Sequence, residues 1–234
     1  MDREKYLYQQ FNKYGIDLTK DKIKDFIEVY DIMLDQNNKQ NLTTITNFDD
    51  VVVKHYIDSC MAYNIFKKDA TVVDVGSGAG FPAIPLKIVR PDLNFTLVDS
   101  LQKRIDYLNN LIQNLKLYDI QAVHYRAEDF ANVSHETFDY AVARAVANMA
   151  TLSEYCLPLV KVGGKFIAYK TNVEKELSEA KYAIELLGGE IEEVVNYVIE
   201  GNSRSLVIIK KVKNTPKGYP RGKNKPRTNP LCQK

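Results

Sequence analysis

The amino-acid sequence predicts an α/β protein built on a mostly parallel sheet with helices on both faces. Between residues 71 and 170, short apolar runs alternate with amphipathic helical stretches, which is the pattern of parallel strands joined by crossover helices. The last two strand-like runs are separated only by Gly201-Asn202-Ser203, which predicts an antiparallel hairpin at the sheet edge. A length of 234 residues corresponds to one domain with extensions.

Residues 1–66 are predicted to form a helical N-terminal region. Thr19 is a candidate N-cap, and apolar residues follow it at helical spacing over 23–34. The polar run 36–41 predicts the end of this helix. A second helical stretch is predicted over 48–66 and carries Lys54, His55 and Asp58. The spacing of His55 and Asp58 suits an orienting pair at a site, although a packed or solvated histidine fits the same pattern.

Seven strands are predicted within residues 67–212. They lie at 71–75, 95–98, 120–124, 138–143, 165–169, 191–199 and 205–212. Helices are predicted over 103–115 and 149–160, between these strands. Seven strands that end in a hairpin form the topology of class I methyltransferases, whose sheet is Rossmann-like. Plain nucleotide-binding folds lack the inserted last strand.

Composition and cysteine usage exclude several classes of protein. With 45% hydrophobic and 26% charged residues, the chain is neither disordered nor fibrous. Its apolar runs are shorter than the roughly 18–20 residues that cross a bilayer, and its charged first residues predict no secretory signal. Three scattered cysteines match neither a disulfide framework nor a zinc-ligand pattern. We therefore expect a cytoplasmic protein without a metal site.

A glycine-rich loop follows the first predicted strand, in the run Asp74-Val75-Gly76-Ser77-Gly78-Ala79-Gly80-Phe81-Pro82. Glycines allow a sharp turn from strand to helix and a close approach of a ligand to the backbone. Gly80 lies only two residues after Gly78, so the loop departs from the dinucleotide fingerprint, in which that spacing is three. The tight loop suits a zwitterionic amino-acid ligand better than a pyrophosphate. An ordinary glycine-rich turn is the alternative.

Acidic residues follow the next two strands. Asp99 ends the second strand, 23 residues after Gly76, where a carboxylate accepts hydrogen bonds from the ribose hydroxyls of an adenosine-containing ligand. The third strand is followed by Arg126-Ala127-Glu128-Asp129, whose backbone and acid side chains suit an adenine edge. Asp129 fits a solvated surface position equally well.

The C-terminal tail, residues 213–234, is strongly basic. Residues 210–234 contain seven Lys, two Arg and no acid, whereas the remaining residues carry 23 basic and 30 acidic groups. A basic tail on a mildly acidic body favours a polyanionic partner, the alternative being a solubilising terminus. We expect the tail to contact such a polyanion and to leave the ligand-binding loop alone.

Several segments together resemble one known family. They are NLTTI (41–45), KHYIDS (54–59), VVDVGSGAGFPAIPL (72–86), LVDSLQKR (97–104), RAED (126–129) and FDYAVARAVA (138–147). Over nearly the whole chain, the sequence resembles the ribosomal small-subunit methyltransferase G family, also called glucose-inhibited division protein B. Two positions depart from the usual family pattern: Lys54 stands where Arg is usual, which loses the planar bidentate fork, and Thr171 stands where Gly is usual.

The resemblance implies an activity and a set of site residues. It implies S-adenosylmethionine-dependent methylation of N7 of one guanine in 16S rRNA, presented as free rRNA, an assembly intermediate or the small subunit. The cofactor contacts carried over from the family are Gly76, Phe81, Ala127, Glu128 and Arg144. Gly78 and Asp99 are added from the loop and the strand-end geometry. The predicted RNA contacts are Lys54, His55, Lys170, Lys217, Arg221, Lys223, Lys225 and Arg227, and a monomer is expected.

The motifs that the sequence lacks agree with N7 chemistry. The place of the N/D-P-P-Y/F motif of amino-methylating enzymes reads Ala143-Arg144-Ala145-Val146, and no cysteine lies in a nucleophile motif. Guanine N7 already exposes a lone pair, so alignment of acceptor and methyl group carries the reaction without a general base. Arg144 is our candidate for the positioning role. The rival classes are a methyltransferase for another RNA or a small molecule, a nicotinamide dehydrogenase and a non-catalytic RNA-binding module.

Overall fold

A computed structural model describes residues 2–171 and 173–232 and contains a seven-stranded mixed sheet. The strands are β1 (Thr71–Val75), β2 (Asn94–Asp99), β3 (Ile120–His124), β4 (Phe138–Arg144), β5 (Val160–Lys170), β6 (Gly189–Ile199) and β7 (Asn202–Lys211). Their order is β3-β2-β1-β4-β5-β7-β6. Strands β1 to β5 are parallel, and β7 is inserted antiparallel between β5 and β6. The predicted class I methyltransferase topology is confirmed.

Helices cover the sheet and precede it. They are α1 (Arg3–Lys13), α2 (Lys20–Gln40), α3 (Phe48–Val51), α4 (Asp58–Cys60), α5 (Ala83–Val89), α6 (Gln102–Asn114), α7 (Ala127–Val133), α8 (Met149–Cys156), α9 (Glu174–Leu186) and α10 (Lys225–Thr228). A π-helical turn, Val52–Ile57, joins α3 to α4, and a 3₁₀ turn, Leu157–Leu159, follows α8. Within residues 2–171 and 173–232, no helix has both the length and the apolar character needed to cross a bilayer.

Strand β5 is longer than its apolar pattern predicts. It begins at Val160 rather than at 165. The apolar pattern does not reveal this first half of the strand, because it is largely exposed and contains two glycines. The pairing with β4 shifts register here, from Phe138 opposite Val160 to Tyr140 opposite Lys165. Gly163, at φ 90°, supplies the left-handed backbone of this irregularity.

Helix α2 also continues further than predicted. Its N-cap is Thr19, as expected, and the Thr19 hydroxyl accepts from the Lys22 N–H at 3.4 Å. The polar run 36–41 does not end the helix. It forms the exposed last turn, which ends at Gln40, and Asn41 caps the helix in the left-handed conformation at φ 48°.

The predicted helix 48–66 ends at Cys60 and is not regular. Its middle, Val52–Ile57, is π-helical, and residues 61–66 form turns. The widened turn carries Lys54 and His55 on its solvent-accessible side and the buried Tyr56 on the other. Turns of this type occur frequently at functional sites.

The N-terminal helices share one hydrophobic cluster with a face of the sheet. Phe26 of α2 packs on Phe11 and on Tyr56, with ring centroids 4.9 and 4.8 Å apart. The Tyr56 hydroxyl donates to the carbonyl of Phe26 at 3.1 Å, so the buried phenol remains satisfied. This packing fixes the π-helical turn beside the carboxyl ends of the strands.

Candidate active site

A cleft of about 600 Å³ opens at the carboxyl ends of β1 and β2. This is the edge at which open α/β sheets bind ligands. Of the predicted cofactor residues, Gly76, Asp99, Ala127 and Glu128 line the cleft. Gly78 lies beside it, in hydrogen-bond contact with Asp99. Arg144 lies elsewhere, at a second pocket described below, and Phe81 packs against Arg144 and His55 without lining either space.

The glycine-rich loop is shaped for close approach to the backbone. Gly76 and Gly78 have left-handed φ values of 76° and 57°. A Cβ at Gly76 would come within 2.7 Å of the Val146 side chain, so only glycine fits between the two loops. The N–H groups of Gly76 and Ser77 both donate to the Val98 carbonyl, which ties the loop to β2. The resulting cradle is made of backbone atoms rather than side chains.

The carboxylate of Asp99 is buried at the floor of the cleft and held by three donors. Its Oδ2 accepts from the Gly78 N–H at 3.0 Å and from Arg104 Nη1 at 3.2 Å. Its Oδ1 accepts from the Leu101 N–H at 3.0 Å. Since a carboxylate offers roughly four acceptor sites, Asp99 has room for one ribose hydroxyl. From its place at the strand end, Asp99 was expected to accept from both ribose hydroxyls.

Asp74 lies beneath the loop with no exposed surface. Neither oxygen of its carboxylate has a hydrogen-bond partner among residues 2–171 and 173–232. Burial raises the pKa of Asp74 to about 7. An unsatisfied buried carboxylate beside a glycine cradle fits a positively charged ligand group, as S-adenosylmethionine carries on its ammonium and sulfonium. The residues present therefore fit the predicted cofactor.

We expect Asp74→Asn to stabilise the cofactor-free protein at pH 8, by at least about 1 kcal/mol. The folded-state pKa of Asp74 lies above the unfolded value of about 3.9, so its contribution to stability is lost as the pH rises toward 7. The gain should therefore vanish near pH 4. Urea unfolding at pH 4 and pH 8 measures the change in stability, and calorimetric titration measures the affinity for the cofactor. An unchanged or lower stability at pH 8 would contradict an unpaired carboxylate.

A second pocket, of about 370 Å³, adjoins the cleft and shares Ala145 with it. Arg144, at the end of β4, lies here. Its guanidinium donates to Asp58 Oδ2 at 2.9 Å and to the Lys54 carbonyl at 3.2 Å. It also lies over the ring of Phe81, 5.2 Å from the centroid. Arg144 thus connects the end of β4 to the N-terminal helical region.

His55 completes the environment of Arg144. Arg144 Nη2 lies 3.1 Å from His55 Nδ1, and His55 Nε2 lies 3.0 Å from Thr43 Oγ1. A guanidinium has only donors, so Nδ1 accepts and Nε2–H donates to Thr43. Burial and the charge of Arg144 lower the pKa of His55 to about 3, and the neutral ring stacks on Phe81 at 4.6 Å. His55 therefore holds the Arg144 side chain in place, and its contact with RNA stays a prediction.

The two lysines predicted to bind RNA at this pocket are both engaged in ion pairs. Lys170 Nζ lies 2.6 Å from Glu176 Oε2 and donates to the Ala147 carbonyl at 2.9 Å. Lys54 Nζ lies 2.6 Å from Asp50 Oδ1 and is more exposed. Both side chains line the pocket. Lys54 is therefore the more accessible of the two to a phosphate.

The basic tail packs against the sheet domain, and Asn224 and Arg227 line the large cleft. The expectation that the tail leaves the ligand site alone is therefore wrong. Arg221, a predicted RNA contact, instead pairs with the fully buried Glu154, with Nε–Oε1 and Nη2–Oε2 distances of 2.9 and 2.8 Å. Three predicted RNA contacts, Lys217, Lys223 and Lys225, are exposed. The tail residues Gln233 and Lys234 lie outside the described residues, as does Met1.

Sequence reasoning missed the partners of these charges. Glu154, Glu176 and Tyr197 were given no role, yet each contacts a charged side chain of the site or of the tail. No local motif marks any of the three. An acid in the apolar segment 149–160 was the one available signal, since a buried carboxylate requires a partner.

Comparison with known proteins assigns the chain to a set of relatives. A family model described as rRNA small subunit methyltransferase G matches residues 22–207. The chain is 48% identical over 234 residues to the ribosomal RNA small subunit methyltransferase G of Lachnoclostridium phytofermentans, with 97% of this chain and 96% of the relative covered. It is 45% identical over 235 residues to the protein of the same name from Staphylococcus aureus, with 98% of each covered.

A comparison of structures agrees at the level of the fold. A SAM-dependent methyltransferase from Aquifex aeolicus superimposes with a TM-score of 0.53 and 17% identity, over 69% of this chain and 93% of that one. At this identity the likeness concerns the fold alone.

Proposed function

This chain belongs to the rRNA small subunit methyltransferase G family, and from that premise we propose that it methylates N7 of one guanine in the 16S rRNA of the small ribosomal subunit. The methyl donor is S-adenosylmethionine, whose sulfonium supplies an electrophilic methyl group. We place the reaction in the cytoplasm, with free rRNA, an assembly intermediate or the subunit as substrate. The observation that carries the proposal is a cleft suited to the cofactor that adjoins a second pocket, in which the carboxylates among the described lining residues, Asp58 and Glu176, are both paired with cations.

The residues that would hold the cofactor are those of the cleft. Asp99 offers one acceptor site for a ribose hydroxyl, and Ala127 and Glu128 begin α7 at the adenine end. Gly76 lines the cleft, where its backbone would meet the methionine moiety. Asp74 lies beneath this loop without lining the cleft, so its carboxylate would act on a cationic ligand through its charge rather than by contact.

The protonation states of the site support attack by a neutral base atom. Both ring nitrogens of His55 are engaged, and its pKa of about 3 keeps it neutral, so it does not act as a general base although it lines the second pocket. Burial raises the pKa of the Cys60 and Cys156 thiols, so neither supplies a thiolate for carbon methylation. Guanine N7 has a lone pair in the neutral base and needs neither group. Positioning then carries the rate enhancement.

The second pocket supports a purine acceptor because its polar groups complement guanine. Lys170 and Arg204 provide donors that suit O6 and the phosphates, and Glu176 Oε1 provides an acceptor that suits the N1–H and amino groups. Ile45 forms an apolar wall. A guanine that enters here reaches the cofactor cleft across Ala145, which lines both spaces. Enzymes that act on a base extrude it into such a pocket.

The proposal is tested by locating the methyl group and by following the rate against pH. Methyl transfer to small-subunit rRNA, followed by nuclease digestion and mass spectrometry, should find 7-methylguanosine at one position. At saturating S-adenosylmethionine, where titration of Asp74 does not limit binding, the single-turnover rate should remain within about threefold between pH 6.5 and 8.5, because no base must ionise. A label on a base amine or carbon would refute the N7 assignment. A rate that rises tenfold per pH unit would refute the base-free reaction.

A further inference from the structure

The tail segment 219–229, which we call the docked segment, is anchored to the domain by a buried ion pair. Glu154 of α8 has no exposed surface, and its carboxylate accepts from the backbone N–H of Arg221 at 2.8 Å as well as from the guanidinium. Burial of a carboxylate without a partner is strongly unfavourable. The domain therefore has a built-in binding site for Arg221, and a tail that served only solubility would not need such a site.

The docked segment also contacts the wall of the cofactor cleft. The backbone N–H of Asn224 donates to Glu128 Oε1 at 3.2 Å, and Glu128 is itself buried and lines the cleft. Lys223 and Asn224 are both left-handed, at φ 60° and 58°, which costs residues with a Cβ free energy. Downstream, the Thr151 hydroxyl donates to the Pro226 carbonyl at 2.8 Å. These contacts hold the strained turn at the position where its N–H meets Glu128.

Two side chains of the docked segment complete the cleft on this side. Asn224 and Arg227 line it together with Tyr155, Ala127 and Glu128, opposite the glycine-rich loop. This is the end of the cleft that would receive adenine. Asp99, at the end of β2, marks the position of the ribose, and Ala127 and Glu128 lie beyond it, after β3. An amide and a planar guanidinium can hydrogen-bond to or stack on a purine ring.

We propose that the docked segment is part of the S-adenosylmethionine site, in which Asn224 and Arg227 contact the adenosine end and the segment closes that end of the cleft. The inference rests on the proposed function for the identity of the ligand. Because cofactor binding and docking of the tail share these contacts, each stabilises the other. The tail thus belongs to the cofactor site as well as presenting its exposed lysines to RNA.

The affinity for S-adenosylmethionine, measured by calorimetry, tests the proposal without an RNA substrate. Arg227→Ala should weaken binding about 3- to 10-fold, and Arg221→Ala, which releases the docked segment, at least 10-fold. The matched control is Lys213→Ala, which removes the same charge from an exposed tail position outside the docked segment and should change the affinity less than twofold. S-Adenosylhomocysteine should slow tryptic cleavage after Arg227 in the wild-type protein at least fivefold.

Arg221→Ala leaves Glu154 buried without its partner, so a second route avoids dependence on its folding. Asn224→Gly preserves the left-handed backbone and the N–H bond to Glu128 and removes only the side chain, and it should weaken binding by about threefold. The inference would be overturned if folded Arg227→Ala and Asn224→Gly proteins bound the cofactor with wild-type affinity and S-adenosylhomocysteine did not protect the wild-type protein from trypsin. That outcome would leave the proposed function intact. A wild-type protein that binds no S-adenosylmethionine would overturn the proposed function as well.

Discussion

Replacement of Arg144 by alanine is expected to lower the free energy of unfolding by about 3–5 kcal/mol, the usual effect of removing one partner of a buried ion pair. The Arg144 and Asp58 side chains are only 12% and 9% exposed. Without the guanidinium, Asp58 would retain the Tyr197 hydroxyl at 2.9 Å and Arg204 at 3.9 Å, and His55 Nδ1 would lose its donor. Urea unfolding monitored by circular dichroism measures the loss. From the sequence, Arg144 was expected only to help position cofactor and target, so that Arg144→Ala would lower turnover without unfolding the domain.

Two further variants separate structure from catalysis at Arg144. The double variant Arg144→Gln with Asp58→Asn removes both charges. Its loss of stability should be smaller than the sum of the losses in the two single variants, because no buried charge is left unpaired. It should still fail in rRNA methylation, since the pocket then lacks its guanidinium. An Arg144→Ala protein that unfolds at the wild-type urea concentration would contradict a structural role for the pair.

The interactions that the sequence did not reveal are those between charges far apart in the chain. Arg144 and Asp58 are separated by 86 positions, and Arg221 and Glu154 by 67. Nothing in the local pattern around either arginine distinguishes an exposed phosphate contact from a buried partner. Only the tertiary packing decides this, because it brings Glu154 of α8 beneath the tail.

The strands and the cofactor loop were predictable because their signals are local. The limits of β1 and β3 are those read from apolar runs, and Asp99 ends β2 as expected for a residue at the carboxyl edge. The shape of the loop follows from its glycines, whose left-handed φ values the residue type itself permits. The π-helical turn had no such signal, since helical periodicity does not distinguish a widened turn from an α-helix.

Replacement of Asp99 by alanine is expected to weaken binding of S-adenosylmethionine by about 1.5–3 kcal/mol, the typical value of a hydrogen bond to a charged group. This corresponds to a roughly 10- to 150-fold higher Kd. The structure adds a second cause of weakening, because Asp99 also holds the Gly78 N–H and orders the glycine-rich loop. Calorimetric titration of the cofactor measures the effect. The loss of three internal hydrogen bonds should lower stability too, so the titration requires a temperature at which circular dichroism shows a folded variant.

Asp129→Ala is the matched control for this prediction, because Asp129 is an exposed carboxylate in the first turn of α7. It removes the same charge at the same end of the sheet, and the affinity should change less than twofold. Asp99→Asn separates the two causes of weakening. It keeps an acceptor for the Gly78 N–H but removes the charge that pairs with Arg104, so its affinity should lie between those of the wild type and the alanine variant. Equal affinity in the wild type, Asp99→Asn and Asp99→Ala would contradict both the ribose contact and a role of Asp99 in ordering the loop for the cofactor.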